Sequence, residues 1–511
     1  MATQQRLMDV AGGEPAGAVA GPIRVARLKE PDRKQLVIDL VDLERLIGDD
    51  HLARAIWELV QQLPTEGFLQ ANKSVEGHAG RPRICPKMLL SLWVYGYSQG
   101  LGEARAIAEE MRYEPALRWM AGNSIVSART LSEFRIAHPE ALRETFENLL
   151  GMLEKVGLID LSQMTLDGTK IASWAGSGSL RREKSLQEHI ARAATVVEGL
   201  ADPAVAAQVT ARQQAARARA RQERQARLAA AQAELAAIQA RKSEAEKAPA
   251  RVSITEPEVR VMKDGHGGFA PSYNVQLLTE SKNKFVVDIL ATQAPNDQGQ
   301  LEPALARLAA QGRAAQTLIV DGGYTQVSNL KAALEKQVNL VGPVHDQTAD
   351  HAVHTAANLT KAGISAAYGP AAFVIIHEGA ALRCPAGREL RRQKTTQNHI
   401  RYVARKEDCK ACAHWRECCP EGGQRSVKFR QTDPVAVAFT ARMKEDQSRA
   451  IYGLRSQVAE FPHLWIKEKL GLRKFHLRGL SKANLEALWA ALTYNIQQWY
   501  RLDWKVKCVA A

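Results

Sequence analysis

The sequence predicts a mixed α/β protein whose sheet is interrupted by a long helical insertion, with a helical region before it and a small cysteine-rich region after it. Three observations predict this class. Apolar residues recur at helical spacing between about residues 37 and 157, strand-like segments occur on both sides of residues 181–250, and four cysteines fall between Cys409 and Cys419. The 511 residues are enough for two to four domains.

The composition excludes some classes of protein and favours others. Hydrophobic residues make up 45% of the chain, which excludes general disorder, and no apolar run is long enough for a transmembrane helix. The 69 Lys and Arg against 55 Asp and Glu give a net charge of +14, which favours a polyanionic partner. No membrane partner is expected. Residues 1–36 are expected to be a disordered tail.

The helical region is expected to form a domain over residues 37–157. Its segment 86–97 is apolar on nearly all sides, so this helix is expected to be buried. Thr130 followed by Glu133 has the form of a capping box, which predicts a helix that begins after Thr130.

Strands and helices then alternate. The predicted order is a strand, the insertion, a two-stranded hairpin, and then a helix, a strand, a helix and a strand, over residues 163–167, 181–250, 272–280, 285–292, 301–311, 317–320, 327–337 and 339–344. This order is typical of a mixed α/β sheet. The insertion, rich in Ala, Arg and Gln, is expected to be an exposed helical hairpin that either contacts DNA or a second subunit, or is a solvated spacer. Residues 485–500 predict a C-terminal helix.

Three acidic residues are candidates for chemistry. Asp167 and Asp321 each follow an apolar strand and precede a glycine, so two carboxylates on neighbouring strands could share Mg²⁺; the alternative is a simple Asp-Gly turn. Glu460 lies in a basic segment that also contains Tyr452, Arg455, Lys467, Arg473, Lys474 and Arg478. An acid in such a segment is either a metal ligand beside phosphate-binding residues or an exposed ion pair.

These residues together resemble a known family, the DDE transposases of bacterial insertion sequences. The resemblance rests on Leu-Asp-Gly-Thr-Lys at 166–170, Val-Asp-Gly-Gly-Tyr at 320–324 and the Tyr452, Arg455, Glu460 and Lys467 block. Two further segments support it, Arg-Thr-Leu-Ser-Glu-Phe-Arg at 129–135 and Tyr-Asn-Val-Gln at 273–276. It extends from about residue 37 to 503.

The resemblance implies an RNase H-like core in which Asp167, Asp321 and Glu460 are the catalytic residues and bind two divalent ions, Mg²⁺ or Mn²⁺. Water would be the nucleophile in cleavage, and the freed 3′-hydroxyl in strand transfer. The family's basic residues hold DNA phosphates, which assigns Tyr452, Arg455 and Lys467, with Arg473 and Lys474 beside them, to DNA binding. The N-terminal helices would recognise terminal inverted repeats. The candidate phosphate contacts there are Arg81, Arg83, Lys87, Arg105, Arg112, Arg129 and Arg135, or else these are solvated basic residues.

The cysteines indicate a second metal site. Cys384, Cys409, Cys412 and either Cys418 or Cys419 could supply four thiolates to one structural Zn²⁺, with His414 as a spare ligand. The alternative is a small subdomain in which reduced cysteines are packed together. Cys85 and Cys508 are expected to be unrelated thiols.

The favoured function is that of a transposase that cleaves DNA at terminal inverted repeats and joins the ends to target DNA. It would work in the bacterial cytoplasm at the nucleoid, as a homo-oligomer when two ends are synapsed. The alternatives are a catalytically inactive DNA-binding repressor and a stand-alone metal-dependent nuclease. The expected core has three parts, residues 158–180, 251–345 and 441–505, the last carrying Glu460, with insertions at 181–250 and 346–440.

Overall fold

The structure is a computed structural model of the full chain. It describes residues 40–69, 83–199, 210–263, 267–344, 359, 361–377, 380–396, 399–430 and 433–510. The tail expected at residues 1–36 lies outside the described residues. Residues 43–511 form one unit, to which the following description applies.

The helical N-terminal region is confirmed. In the part of the chain that the structure describes, six α-helices precede the first strand: α1 (Leu52–Gln62), α2 (Pro86–Ser98), α3 (Ala104–Glu110), α4 (Pro115–Met120), α5 (Ala128–Ala137) and α6 (Pro139–Lys155). Residues 89–97 of α2 are all buried, as the apolar segment predicts.

The capping prediction at Thr130 is wrong. Helix α5 begins one residue after Ser127, whose Oγ accepts the backbone N–H of Thr130 at 3.1 Å. Ser127 is an equally good cap three residues earlier, so Thr130 lies inside the first turn. Glu133 does not reach back to the helix start, and instead forms an exposed ion pair with Arg129.

The predicted mixed sheet, interrupted by the insertion, is also confirmed. It consists of β1 (Gln163–Ala172), β4 (Arg260–Lys263), β5 (Phe269–Glu280), β6 (Val286–Thr292), β7 (Thr317–Val320) and β8 (Asn339–Val341). Strand β5 pairs antiparallel with β1 along one edge, and with β4 and β6 along the other. On the far side of β1, strands β7 and β8 run parallel to it. The order is thus β6 and β4, then β5, β1, β7 and β8.

The insertion forms two long helices that pack on each other. Residues 181–250 contain α7 (Glu183–Gly199), α8 (Ala211–Ala240) and the short α9 (Glu244–Lys247). A separate apolar cluster that includes Leu186, Leu228 and Leu235 joins α7 to the second half of α8. A short ladder between β2 (Leu180–Arg181) and β3 (Val252–Ser253) closes the base of the insertion.

Helices cover the sheet and complete the core. They are α10 (Leu301–Ala310), α11 (Val327–Glu335), α14 (Pro434–Arg442), α15 (Asp446–Gly453), α16 (Arg455–Leu464), α17 (Leu480–Trp499) and α18 (Lys505–Ala510). Helix α17 begins five residues before the predicted start and is buried along most of its length, because it packs against β6, α2 and α6. One continuous apolar core therefore joins the N-terminal helices to the sheet. Among the described residues, no helix is long and apolar enough to cross a bilayer.

The cysteine-rich region folds around its own small sheet. Strands β9 (Val374–Ile376), β10 (Ala381–Arg383), β11 (Glu389–Thr396), β12 (His399–Ala404) and β13 (Ser426–Arg430) follow one another in antiparallel order. Two short helices, α12 (Lys406–Lys410) and α13 (Trp415–Cys418), carry Cys409 and Cys418. A separate apolar cluster that includes Leu382, Leu390 and Val427 supports this sheet.

Candidate active site

Two aspartates lie side by side where β1 and β7 separate. The parallel ladder between these strands ends at the pair Leu166 and Val320. Asp167 and Asp321 are the next residues on the two strands, so the register itself makes them neighbours. The structure thus brings together the two acids that each follow an apolar run and precede a glycine in the sequence.

Asp167 is a buried carboxylate with a cationic neighbour. Only 9% of the residue is exposed. Its Oδ1 lies 3.1 Å from Nη2 of Arg455, and it also accepts the backbone N–H of Gly168 at 3.0 Å. Burial raises the pKa of Asp167 to about 6; the Arg455 guanidinium opposes this shift, and the charges of Asp321 and Asp297 add to it.

The second oxygen of Asp167 faces a histidine. Nδ1 of His463 lies 3.8 Å from Oδ2 of Asp167. Burial lowers the pKa of His463 to about 3, and the nearby charges of Lys467 and Arg455 lower it further. His463 is therefore neutral at pH 7, and Arg455 provides the positive charge in contact with Asp167.

Asp321 begins a tight turn after β7. Its Oδ1 accepts the backbone N–H of Gly323 at 2.8 Å, which starts a 3₁₀ turn over Gly322–Tyr324. The Asp-Gly turn that the sequence analysis gave as an alternative is therefore present at Asp321. A carboxylate that caps its own turn has a fixed position at the strand end.

A third aspartate, Asp297, lies beside this pair and was missed by sequence reasoning. It belongs to the loop between β6 and α10, and its Oδ1 accepts hydrogen bonds of 2.7 Å from both Asn274 Nδ2 and Gln276 Nε2. Lys170 Nζ lies 3.8 Å from the same oxygen. Asn274 and Gln276 occupy alternate positions of β5, so their amides share one face and need a common acceptor. The sequence signal that could have indicated such an acceptor was the presence of two amide side chains at alternate positions of a predicted strand.

Gly168 leaves the space that this arrangement needs. A Cβ at this position would lie 2.2 Å from Oδ1 of Asp297 and 2.5 Å from Nε2 of Gln276. We expect Gly168→Ala to force the Asp297 loop away and to lower the free energy of unfolding by about 1–3 kcal/mol, measured by urea denaturation. Gly176→Ala is the control, because a Cβ there meets nothing within 4 Å. Equal stability of the two variants would contradict the crowding described here.

Glu460 is on the helix that covers this site, but its side chain is not part of it. Helix α16 packs against β1 and β5, and its residues Arg455 and His463 reach Asp167. Glu460 is exposed to solvent. Within the described ranges, no three His, Cys, Asp or Glu side chains converge closely enough to hold a metal ion. The expected grouping of Asp167, Asp321 and Glu460 is thus present only as the aspartate pair.

The residues assigned to DNA binding differ in the exposure of their side chains. Tyr452 and Lys467 are half-buried, and burial lowers the pKa of Lys467. Arg455 is paired with Asp167 and is not free for a phosphate. Arg473 and Lys474 are exposed, although Arg473 forms an ion pair with Glu468.

Among the N-terminal residues predicted to contact DNA phosphates, the prediction for Arg135 is wrong. Arg135 is 5% exposed; its Nη1 donates to the carbonyl of Gly102 at 2.6 Å, and its guanidinium lies 4.6 Å from the ring centroid of Trp93. It is a buried structural residue and cannot contact a phosphate. Lys87 donates to the carbonyl of Gln61. Exposed side chains are found at Arg83, Arg105, Arg112 and Arg129, and Arg81 lies outside the described residues.

The clustered cysteines line one cavity of about 30 Å³, together with His414. Backbone N–H groups donate to two of the thiols, from Arg388 to Cys384 at 3.2 Å and from Arg425 to Cys409 at 3.4 Å. Burial raises the pKa of Cys419 to about 12, with further contributions from the neighbouring Cys418 and Cys409. Cys412 completes the set, whereas Cys85 and Cys508 are exposed elsewhere.

Comparison with known proteins gives two family matches. Residues 383–500 match the family described as Transposase DDE domain, and residues 41–137 match the one described as Transposase domain (DUF772). The first match includes Glu460 and the clustered cysteines. A search of solved structures matches "Cryo-EM structure of piggyBac transposase synaptic complex with hairpin DNA", with 9% identity and a TM-score of 0.25. That match covers 92% of this chain and 86% of the other. No curated protein matches.

Proposed function

Because the chain belongs to the DDE-type transposases, we propose that it cleaves DNA at the terminal inverted repeats of an insertion sequence and joins the ends to target DNA. The observation that carries this proposal is the pair of the buried Asp167 and the half-buried Asp321 at the point where two parallel strands separate. A carboxylate pair held by strand register has the fixed position that phosphoryl transfer chemistry requires.

The residues at this point fit a divalent cation. Carboxylate oxygens are the ligands that Mg²⁺ prefers, and the mutual repulsion that helps to raise the pKa of Asp167 would be relieved by a cation. Asp167 and Asp321 would hold Mg²⁺ or Mn²⁺, and Glu460 would be the third ligand if its side chain turns from solvent toward them. Two such ions supply an activated oxygen nucleophile and neutralise charge on the leaving oxygen.

The chain's own cations would position the DNA. Lys170 is held 3.8 Å from Asp297, and Lys467 is close enough to Asp167 for their charges to interact. Both lysines can hold phosphate oxygens beside the aspartates. Arg455 neutralises Asp167 in this structure, so it becomes free to contact a phosphate when another cation neutralises that carboxylate. DNA is therefore the proposed partner, with a homo-oligomer bringing two ends together at the bacterial nucleoid.

The second candidate is a DNA-binding repressor without catalysis, which the solvent-exposed Glu460 favours. A joining assay distinguishes the candidates. DNA with the element's own end and a pre-cut 3′-hydroxyl is incubated with a target plasmid and Mg²⁺. Joined product is expected for a transposase. Cutting without joining would indicate a nuclease, and binding without either reaction would indicate the repressor.

We further propose a structural zinc site at the clustered cysteines, because they line one cavity. In the described residues no three of them converge closely enough to hold a metal ion, so zinc would have to draw their side chains together. Cys384 and Cys409 already accept backbone N–H groups, an interaction that stabilises thiolates. With Cys412 and either Cys418 or Cys419 they would complete a four-thiolate site. Elemental analysis of the purified protein is expected to give about one zinc per chain, and Cys409→Ser is expected to lose it. Cys508→Ser is the control; zinc unaffected by Cys409→Ser would contradict this assignment.

A further inference from the structure

An exposed tryptophan lies just beyond the end of the strand that carries Asp167. All nine tryptophans of the chain lie within the described residues, and Trp174 is the only one of these that is exposed. It retains 40% exposure although the guanidinium of Arg478 lies 3.4 Å from its ring centroid.

The two segments that carry this pair are fixed to one another. The backbone N–H of Ala172 donates to the carbonyl of Arg473 at 3.2 Å, and the N–H of Phe475 donates to the carbonyl of Ala172 at 2.9 Å. Glu256, which is 1% exposed, adds a second connection. Its two carboxylate oxygens accept the N–H of Ala175 at 3.1 Å and that of Gly479 at 2.8 Å. The Trp174 and Arg478 pair is thus held by rigid backbone.

The surroundings of the ring are open and positively charged. Arg473, Lys474 and Arg478 are exposed along the segment beside Trp174. On the other side, Gly176 and Gly178 have nothing within 4 Å of where a Cβ would be. An aromatic platform among exposed cations is the combination that binds single-stranded nucleic acid, because the cations hold the backbone and the ring stacks on a base.

We infer that Trp174 stacks on an unpaired DNA base near the cut end, with Arg473, Lys474 and Arg478 holding the adjoining phosphates. The inference rests on the proposed function. Ala172 is five residues after Asp167 on β1, so the platform begins about 17 Å from that carboxylate. This distance corresponds to about five nucleotides at 3.4 Å each. A protein partner is disfavoured, because exposed cations border the ring and only Arg473 among these three has an ion-pair partner in the described residues, Glu468.

The test compares two substitutions of the same residue in the full-length protein. Trp174→Leu keeps an apolar side chain without an aromatic face, and Trp174→Phe keeps the face. Binding is measured by fluorescence anisotropy with a labelled oligothymidylate of about 20 nucleotides and with a duplex of the same length. Trp174→Leu is expected to weaken single-strand binding about tenfold and duplex binding less than about twofold, whereas Trp174→Phe stays within about threefold of the parent protein.

Each outcome is decisive. Unchanged single-strand binding by Trp174→Leu would overturn the inference, and so would an equal loss in Trp174→Phe, because stacking then plays no part. An equal loss for duplex DNA would show that no unpaired base is involved, and would also overturn it. If the parent protein binds neither DNA, the proposed function fails instead, which separates the two conclusions. The thermal midpoint of each variant is measured alongside as the folding control.

Discussion

Asp167→Asn is expected to reduce DNA cleavage and end joining by at least about a thousandfold while DNA binding is retained. The amide has nearly the same shape as the carboxylate but carries no charge, so it cannot hold a divalent cation in the way that the proposed site requires. Cleavage of labelled end DNA and anisotropy binding are measured on the same preparation. The control is Asp446→Asn, because Asp446 is an exposed residue outside the site.

The same substitution is expected to stabilise the protein, and the effect depends on pH. The folded-state pKa of Asp167 is raised to about 6, above its usual value near 3.9. Below about pH 4 the folded protein has the full stability that a protonated Asp167 gives it. This stability is lost as the pH rises through about 6, because the buried carboxyl group then becomes charged. At pH 7.5 the Asn variant should therefore be roughly 2–3 kcal/mol more stable, and at pH 4 the difference should vanish.

Divalent cations give a readout that does not depend on activity. Mg²⁺ or Mn²⁺ should raise the thermal midpoint of the parent protein, because a ligand that binds the folded state stabilises it. The increase should be absent in Asp167→Asn and present in Asp446→Asn. Full cleavage by Asp167→Asn would show that Asp167 is not part of the proposed site. The same cation effect in the parent protein, Asp167→Asn and Asp446→Asn would show this too.

Arg135→Ala is expected to have the largest effect on stability, a loss of about 3–5 kcal/mol in the free energy of unfolding. The change removes the hydrogen bonds to the Gly102 carbonyl and to the Tyr97 hydroxyl, together with the cation–π contact to Trp93. It also leaves a cavity in the core between α2 and α5. Urea unfolding at pH 7 measures the loss.

Arg129→Ala is the matched control on the same helix. Arg129 is exposed and its ion pair with Glu133, four residues later, is exposed too, so its loss should change stability by less than about 0.5 kcal/mol. The two variants also test the roles of these residues in DNA binding. Arg129→Ala should weaken binding without unfolding the protein, whereas any loss in Arg135→Ala should follow its unfolding. A stable Arg135→Ala protein with weak DNA binding would contradict the structural role described here.

Sequence periodicity predicted the parts of the fold that depend on local patterns. The strand at Thr317–Val320 is confirmed with its predicted bounds, because three consecutive apolar residues between polar ones leave little freedom in assignment. The pairing of Asp167 with Asp321 followed from the same logic, since each directly follows a run of apolar residues. The predicted end of the first strand at Asp167 is wrong, because its pairing with β5 continues to Ala172. At the start of α5 the capping-box pattern gave the wrong cap, because Ser127 has the same capping chemistry as Thr130 and lies three residues earlier.

Contacts between distant segments could not be read from local patterns. The sequence around Arg135 is typical of an exposed helical arginine. Arg135 is buried because α5 packs against Trp93 and Tyr97. Asp297 lies in a loop with no periodic signal, and its role depends on amides more than twenty residues earlier in the chain. The exposed position of Glu460 depends on the rotation of α16, which the spacing of three acids along a sequence does not determine.

The most direct test of the account is an anomalous diffraction measurement on crystals of the protein with bound DNA and saturating Mn²⁺. A manganese peak bonded to oxygens of both Asp167 and Asp321 is expected, with Glu460 turned inward to the same site. A map with no manganese at this pair, or with manganese only elsewhere on the chain, would contradict it.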